Sequence, residues 1–336
     1  MAGAKAEKTY EAEADRLAAD ILAGDRRALA KGITLVESTR ADHREQADAL
    51  LAALLPHTGK SVRLGITGVP GVGKSTFIER FGLSLIGKGH KVAVLAVDPS
   101  SKVSGGSILG DKTRMELLSR DDGAFIRPSP AGRTLGGVGR RTRESIFLVE
   151  AAGFDVVIVE TVGVGQSETT VSEMVDMFVL LLLPGGGDEL QGIKKGVVEL
   201  ADLVVVNKAD GEMKKVATRS AADYQHALHL LRPATPNWQV QVRTCSALTG
   251  EGVDEIWDTV GEFKEAIGEK GLKARRAEQA RAWMWNELGE TLLSRLREHT
   301  GVRARLSELE TAVMSGRATA VAAASELLAI FTGERK

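Results

Sequence analysis

VRLGITGVPGVGKST, Val62 to Thr76, is the stretch on which the reading of this chain turns. A short β-branched run enters a turn spaced by Gly68, Gly71 and Gly73, and the chain leaves it on Lys-Ser-Thr with a helical pattern. The turn fits G-x-x-x-x-G-K-[ST] at Gly68, Gly73, Lys74 and Ser75. Glycines let successive backbone N–H groups turn inward around phosphate oxygens, at the positive end of the helix that follows. Lys74 supplies a point charge for the β- and γ-phosphates, and the Ser75 hydroxyl is a hard oxygen suited to Mg²⁺. Gly68, Val69, Pro70, Gly71, Val72, Gly73, Lys74, Ser75 and Thr76 are therefore the candidate phosphate loop. An ordinary glycine-rich strand–helix turn would carry the glycines without the Lys-Ser pair.

The same grammar extends outward. VAVLAVD (92–98), VVIVET (156–161), MFVLLLL (177–183), LVVVNK (203–208) and VQVRTC (240–245) repeat the pattern of an apolar run followed by a turn and a helical segment, and AFIRP (124–128) adds a further short run. Runs apolar on both faces and alternating with helices predict a mostly parallel sheet covered on both sides, an α/β fold. Ligands of such sheets bind beyond the carboxyl ends of the strands. Residues 1–60 read as a helical extension, with Leu17 and Ile21 on one face and Leu50, Leu51, Leu54 and Leu55 on another, closed by Pro56. Residues 61–267 form the sheet domain. Residues 268–336 read as a helical arm after the linker GEKGLK, with Trp285, Leu288, Leu292 and Leu296 in a stripe, to be packed on the sheet domain or on a second copy.

Strand ends then specify the base. LVVVNKAD places Asn207, Lys208 and Asp210 at a carboxyl terminus about 140 residues after the phosphate loop. A carboxylate at Asp210 accepts from both N1–H and the 2-amino group of guanine, whereas adenine offers neither donor, and a carboxylate left unpaired rejects the wrong base. Lys208 is placed to lie along base and ribose, and Asn207 to tie neighbouring loops. CSALTG (245–250) follows another strand and matches, at Ser246, Ala247 and Leu248, the loop whose backbone meets the base edge in GTPases. Cys245 reads as a small buried neighbour. Asp98 in VDPSS, Asp111 in LGDKTRM and Glu160 in VVIVETVG are candidate acids for Mg²⁺ or for the attacking water, with a solvated or helix-capping acid as the plainer alternative. Most small GTPases carry Asp-x-x-Gly where this chain has Glu160-Thr161-Val162-Gly163. Arg133 to Arg143, RTLGGVGRRTR, offers either phosphate contacts or a solvated helix start.

Composition removes whole classes. The chain has 336 residues and a formal net charge of −1, so nothing global points to nucleic acid or an anionic membrane. One cysteine excludes an internal disulfide framework and fits a reducing compartment. The first residues lack a secretory core and no apolar run is long enough to span a bilayer, so the expectation is a soluble, cytoplasmic protein. The six histidines are scattered; His226 and His229 share a predicted helix face without a further ligand nearby.

As a set, GVPGVGKST, AVDPSS, GDKTRM, ETVGVGQSE, PGGGDELQGIKKG, NKAD and CSAL resemble the methylmalonyl-CoA mutase-associated GTPases, the MeaB/ArgK family, across nearly the whole chain. The resemblance implies a P-loop GTPase domain that cycles between GTP and GDP with Mg²⁺. It implies a chaperone of an adenosylcobalamin-dependent acyl-CoA mutase, most simply methylmalonyl-CoA mutase, that gates cofactor loading and protects the mutase from inactivation. It also implies a homodimer built through the C-terminal arm, and slow intrinsic hydrolysis that the mutase accelerates. Lys74, Asp111 and Glu160 would then be catalytic, and Ser75, Asp98 and Glu160 the metal-side residues. Pro184 and Gly185 to Gly187 end an apolar strand and permit positive φ, so Asp188, Gln191 and Lys194 sit on a movable element resembling the family's partner-coupling switch. Two other enzymic readings compete, a phosphotransferase and a nickel metallochaperone GTPase, the latter disfavoured by the lack of a His-rich tract. A third, from outside enzymology, is an adaptor that binds GTP without turnover.

Overall fold

The computed structural model of the chain describes residues 2–38, 40–97, 115–128, 135–161, 167–185, 195–229, 233 and 235–333. Contacts divide it into two compact units, residues 1–276 and 277–336. The first is organised by seven strands: β1 (Val62–Gly68), β2 (Val92–Val97), β3 (Ala124–Arg127), β4 (Val156–Thr161), β5 (Met177–Leu182), β6 (Leu203–Val206) and β7 (Gln241–Thr244). Their order is β3-β2-β4-β1-β5-β6-β7 and every neighbouring pair is parallel. All seven sequence-predicted runs are strands, most shortened at the carboxyl end where the backbone turns away into the loops. The chain winds outward in both directions from β1, and the ligand crevice of such a sheet lies at that reversal.

Strand parity builds two cores. On one face Val156 and Ile158 of β4 join Leu64, Ile66 and the helix α4 (Lys74–Gly87) through Phe77, Ile78 and Phe81. On the other, Val157 and Val159 meet the N-terminal helices α1 (Ala2–Leu22), α2 (Arg26–Glu37) and α3 (Ala41–Leu54), together with α6 (Leu135–Ala151). The short α5 (Glu116–Arg120) precedes β3. Alternate side chains entering opposite cores is why the strands read as unbroken apolar runs. In α2, Leu29, Ile33 and Val36 are buried at helical spacing, and Asp25 caps the helix by accepting from the backbone of Arg27 and Ala28 at 2.7 and 2.8 Å. Arg26 then donates to the carbonyls of Asp122 and Ala124, closing the exposed β3 edge. Leu55, expected on the buried face with Leu50 and Leu54, is 57% exposed: it starts a 3-10 turn (Leu55–His57) that Pro56 imposes and so leaves the helical face.

Right of β1 the chain adds α7 (Ser167–Ser172), α8 (Lys195–Glu199) and α9 (Met213–His229), then α10 (Val253–Glu298). At Gly268 the helix α10 breaks, with φ 63° and ψ 172°, yet it runs on through the GEKGLK segment. Arg275 pairs with Asp202 at 3.0 Å and Arg276 with Asp176 at 2.6 Å, the acids lying one residue before β6 and β5. The second unit contains the rest of α10, α11 (Thr300–Met314) and α12 (Ala320–Thr332). No helix among the described residues is long and apolar enough to cross a membrane.

Candidate functional site

Of the residues singled out at strand ends, the described ones lie at the carboxyl edge of the sheet. Gly68 ends that strand against β5: a Cβ there would stand 2.6 Å from the carbonyl oxygen of Leu181, so only glycine fits. The turn closes with Val72 N–H on Val69 O at 3.2 Å, and Gly73 enters α4 at φ 92°, in the left-handed region. Lys74 folds back over the turn and donates from Nζ to Gly68 O at 2.7 Å. Its ammonium is thus parked on the backbone of the loop at a helix N-terminus, where an anion would be favoured. The Ser75 hydroxyl in the same helical turn makes no hydrogen bond among the described residues.

Asn207 joins the two halves. Fully buried at the end of β6, it donates from Nδ2 to Val72 O at 2.8 Å, and its Oδ1 accepts from Ala247 N at 3.0 Å and from the Cys245 thiol at 3.5 Å. A Cβ on Gly73 would come to 3.0 Å from Asn207 Nδ2, which makes the glycine at the helix entrance a packing requirement as well. Lys208 adopts φ 61°, an unusual conformation for a side-chain-bearing residue, and its Cε would lie 4.0 Å from a Cβ added at Gly73. Asp210 is oriented by Ser246, whose hydroxyl donates to Oδ2 at 2.5 Å while accepting from Thr249 N at 3.1 Å. No hydrogen bond to Oδ1 of Asp210 occurs among the described residues, so that oxygen keeps its acceptor capacity. Burial, with a small contribution from the charge of Glu255, pushes the Cys245 thiol up to about 12, so it stays protonated and inert at neutral pH.

Glu160 is 4% exposed near the end of β4, in register with Ile66 of β1, and strand parity turns it to the α4 side. Beside it Thr161 donates to the hydroxyl of Thr67 at 2.7 Å, closing β1 to β4 at this edge. A buried carboxylate and the Ser75 hydroxyl on the α4 side of the sheet are the hard oxygen donors that Mg²⁺ takes. Asp98, Asp111, Asp188, Gln191 and Lys194 lie outside the described residues. The arginine segment is divided: Arg143 donates to Glu173 O at 3.2 Å and burial lowers its pKa, so this guanidinium is committed to the protein rather than to a phosphate. Arg141 is likewise lowered by burial and then by the neighbouring charge of Arg140. His229 contacts Gln239 at 2.6 Å, and no group of three potential metal ligands occurs among the described residues. One contributor escaped the sequence reading altogether. Arg80 of α4 donates to the carbonyls of Ala247 and Leu248, and its only sequence signal is its spacing of four from Ser84 and eight from Lys88.

A parallel sheet with a glycine loop between β1 and its helix, tied by one asparagine to a second loop after β7, defines a P-loop protein of the GTPase class. The chain belongs to the family described as methylmalonyl Co-A mutase-associated GTPase MeaB, which matches residues 29–301. GTPase ArgK of Escherichia coli (strain K12) is 53% identical over 274 residues, covering 81% of this chain and 83% of that protein. The mouse protein named methylmalonic aciduria type A homolog, mitochondrial, is 50% identical over 328 residues, covering 94% of this chain and 79% of its own length. The crystal structure of a protein named LAO/AO transport system kinase superposes with a TM-score of 0.75 at 40% identity, covering 96% of this chain and 98% of that one. The protein is accordingly a GTPase that binds GTP.

Proposed function

We propose that this GTPase is a nucleotide-driven chaperone of an adenosylcobalamin-dependent acyl-CoA mutase, methylmalonyl-CoA mutase first among them, and that it works as a homodimer. The observation that carries the partner is the family match over residues 29–301, whose description names that mutase. In this reading Lys74 and the amides of residues 69–76 neutralise the γ-phosphate, and phosphoryl transfer to water is mostly positioning and charge cancellation. Ser75 and Glu160, with Asp98, hold Mg²⁺, which when bound offsets charge on the phosphate oxygens. Glu160 or Asp111 orients the attacking water. Asp210 and the loop at 246–248 select guanine. Pro184 and Gly185 lead into Asp188, Gln191 and Lys194, which report nucleotide state to the mutase; Gly185 N–H is anchored to Ser220 Oγ of α9 at 2.9 Å, at φ 88°, so the segment leaves from a fixed point.

Steady-state GTP hydrolysis with and without purified methylmalonyl-CoA mutase tests the proposal, in the native chain and in Lys194→Ala. Expected are slow turnover alone, acceleration by the mutase, and loss of that acceleration in the variant with GTP affinity unchanged. Absence of acceleration in the native chain rejects the mutase as partner. The solved relative at 40% identity carries the name of a kinase, and product analysis separates that reading: a labelled acceptor instead of inorganic phosphate would favour it.

A further inference from the structure

Helix α4 holds the candidate phosphate residues in its first turn, and further along it presents Arg80 and Ser84, with Lys88 at its C-cap, at intervals of four. All three reach the segment after β7. Arg80 donates from Nη2 to Leu248 O at 2.8 Å and from Nε to Ala247 O at 3.4 Å. Ser84 donates to Asp254 Oδ1 at 2.5 Å, and Lys88 pairs with the same oxygen at 2.9 Å. The helix that begins at the candidate phosphate loop is therefore tied through Arg80 to the candidate base loop and through Ser84 and Lys88 to the first turn of α10.

We propose that Arg80 is a specificity-positioning residue for GTP, fixing two consecutive peptide planes so that the base loop presents the Leu248 N–H to the 6-oxygen of guanine. The proposal rests on the reading that Asn207, Asp210 and residues 246–248 enclose the base. In a trans peptide the carbonyl and the following N–H point in opposite directions. With the Ala247 and Leu248 carbonyls both drawn to Arg80, the N–H groups of Leu248 and Thr249 are aimed away from α4. Thr249 N–H is used at once, on the same Ser246 hydroxyl that orients Asp210. Leu248 N–H has no partner among the described residues, which leaves a backbone donor in the base loop for an acceptor on the ligand. A guanidinium suits the task because its donors form a rigid fork that holds two carbonyls at once, whereas an ammonium is a single point donor. Arg80 touches neither phosphate nor base in this arrangement; it acts through the loop.

Three diphosphates are compared: GDP, inosine diphosphate, which lacks the 2-amino group, and 2-aminopurine riboside diphosphate, which lacks the 6-oxygen and with it the N1–H, so the 6-oxygen contact is read from the change in discrimination when Arg80 is substituted. Dissociation constants are to be measured for native protein, Arg80→Ala and Arg80→Lys, with Arg80→Met as a stem-preserving variant should Arg80→Ala lower the thermal midpoint. In the native chain GDP binds tighter than either analogue. In Arg80→Ala or Arg80→Met the preference over 2-aminopurine diphosphate falls by roughly three- to tenfold, the worth of one hydrogen bond in an exposed site. The preference over inosine diphosphate, which Asp210 reads, stays within about twofold, and Arg80→Lys recovers part of the loss. Equal weakening for all three ligands, or unchanged preferences, overturns the proposal while leaving the base site standing. A native chain that does not distinguish GDP from inosine diphosphate overturns the base-site reading itself, and Arg80's role with it.

Discussion

In the proposed base site Asp210 would carry the base choice on one carboxylate, and its surroundings suit a partly exposed acid to that task. Ser246 occupies Oδ2 and is itself pinned by Thr249 N–H, so the side chain cannot rotate away without breaking its hydrogen bond to a hydroxyl that is held in place. The remaining acceptor edge then meets a base that either brings two donors or leaves the carboxylate without compensation. Asp210→Asn replaces an acceptor pair by one acceptor and one amide donor. Its expected outcome is a loss of GTP affinity of roughly 10²- to 10⁴-fold, with a gain for xanthosine triphosphate, whose 2-oxo group accepts from the new amide. Isothermal calorimetry with both nucleotides checks it; retained GTP affinity would remove Asp210 from the base site. Much of this was legible beforehand because Asn207, Lys208 and Asp210 are close in sequence and sit where a strand must end. The two-handed role of Asn207 was visible only as a tie between loops, since the partners it reaches, Val72 and Ala247, are 135 and 40 residues away. Arg80 was invisible: a lone arginine in an amphipathic helix is ordinarily a solvated charge.

Strands were the easiest elements to read, and the reason is burial on both faces. β4 sends Val157 and Val159 to the N-terminal helices and Val156 and Ile158 to α4, so no polar residue interrupts the run until Glu160 reaches the ligand edge. What pattern could not disclose is the polar fastening at the opposite, amino-terminal edge of the sheet. There Glu150 of α6 accepts from both Arg63 nitrogens at 2.7 and 2.9 Å, from the Ser61 hydroxyl at 2.5 Å and from Gly59 N–H at 2.7 Å. Arg276 completes the same corner by donating to the carbonyls of Gly59 and Ser61 and to both oxygens of Asp176. Burial alone would raise the Glu150 carboxyl, but the Arg63 hydrogen bonds and charge, with Ser61 and Gly59, outweigh it and hold it below the ordinary glutamate range. A depressed folded-state pKa contributes stability above the unfolded value, and that contribution is lost as pH falls through the folded one. Glu150→Gln leaves the Arg63 charge buried without its counter-ion, at a cost of about 3 kcal/mol near pH 7. Urea unfolding of the two proteins should diverge most at neutral pH and converge once the pH drops below the usual glutamate range. A gap that is constant with pH would mean the carboxylate is not the stabilising form.

At the scale of the molecule, the second unit poses a different physical problem from the first. Among its described residues only Val302, Leu309 and Ala323 are buried hydrophobics, whereas Met284, Trp285, Leu288, Leu292, Leu293, Met314, Val321 and Leu328 are exposed. Arg305 bridges α11 and α12 through Glu326, but an exposed ion pair contributes little compared with a core. Sixty residues with so few buried apolar groups do not offset the entropy of ordering them. Trp285, Leu288 and Leu292 fall at i, i+3 and i+7, a single apolar stripe on α10 of the kind that a second helix covers. The sequence showed this stripe but left open what covers it, because spacing gives the face and never the occupant. Covering by another copy of the same stripe would give a closed two-fold assembly, in which burial of the exposed Trp and Leu side chains stabilises by roughly 1.5–3 kcal/mol each. Replacing Leu288 and Leu292 together by serine removes two such contributions per chain, enough to shift a micromolar association by several orders of magnitude. Sedimentation of the native chain is expected at twice the chain mass and of the double variant at one chain mass, with GTP binding intact in both because the candidate nucleotide residues all lie in the first unit. A native chain that sediments as a monomer at micromolar concentration would reject self-association and leave the sheet domain or a different protein to cover the stripe.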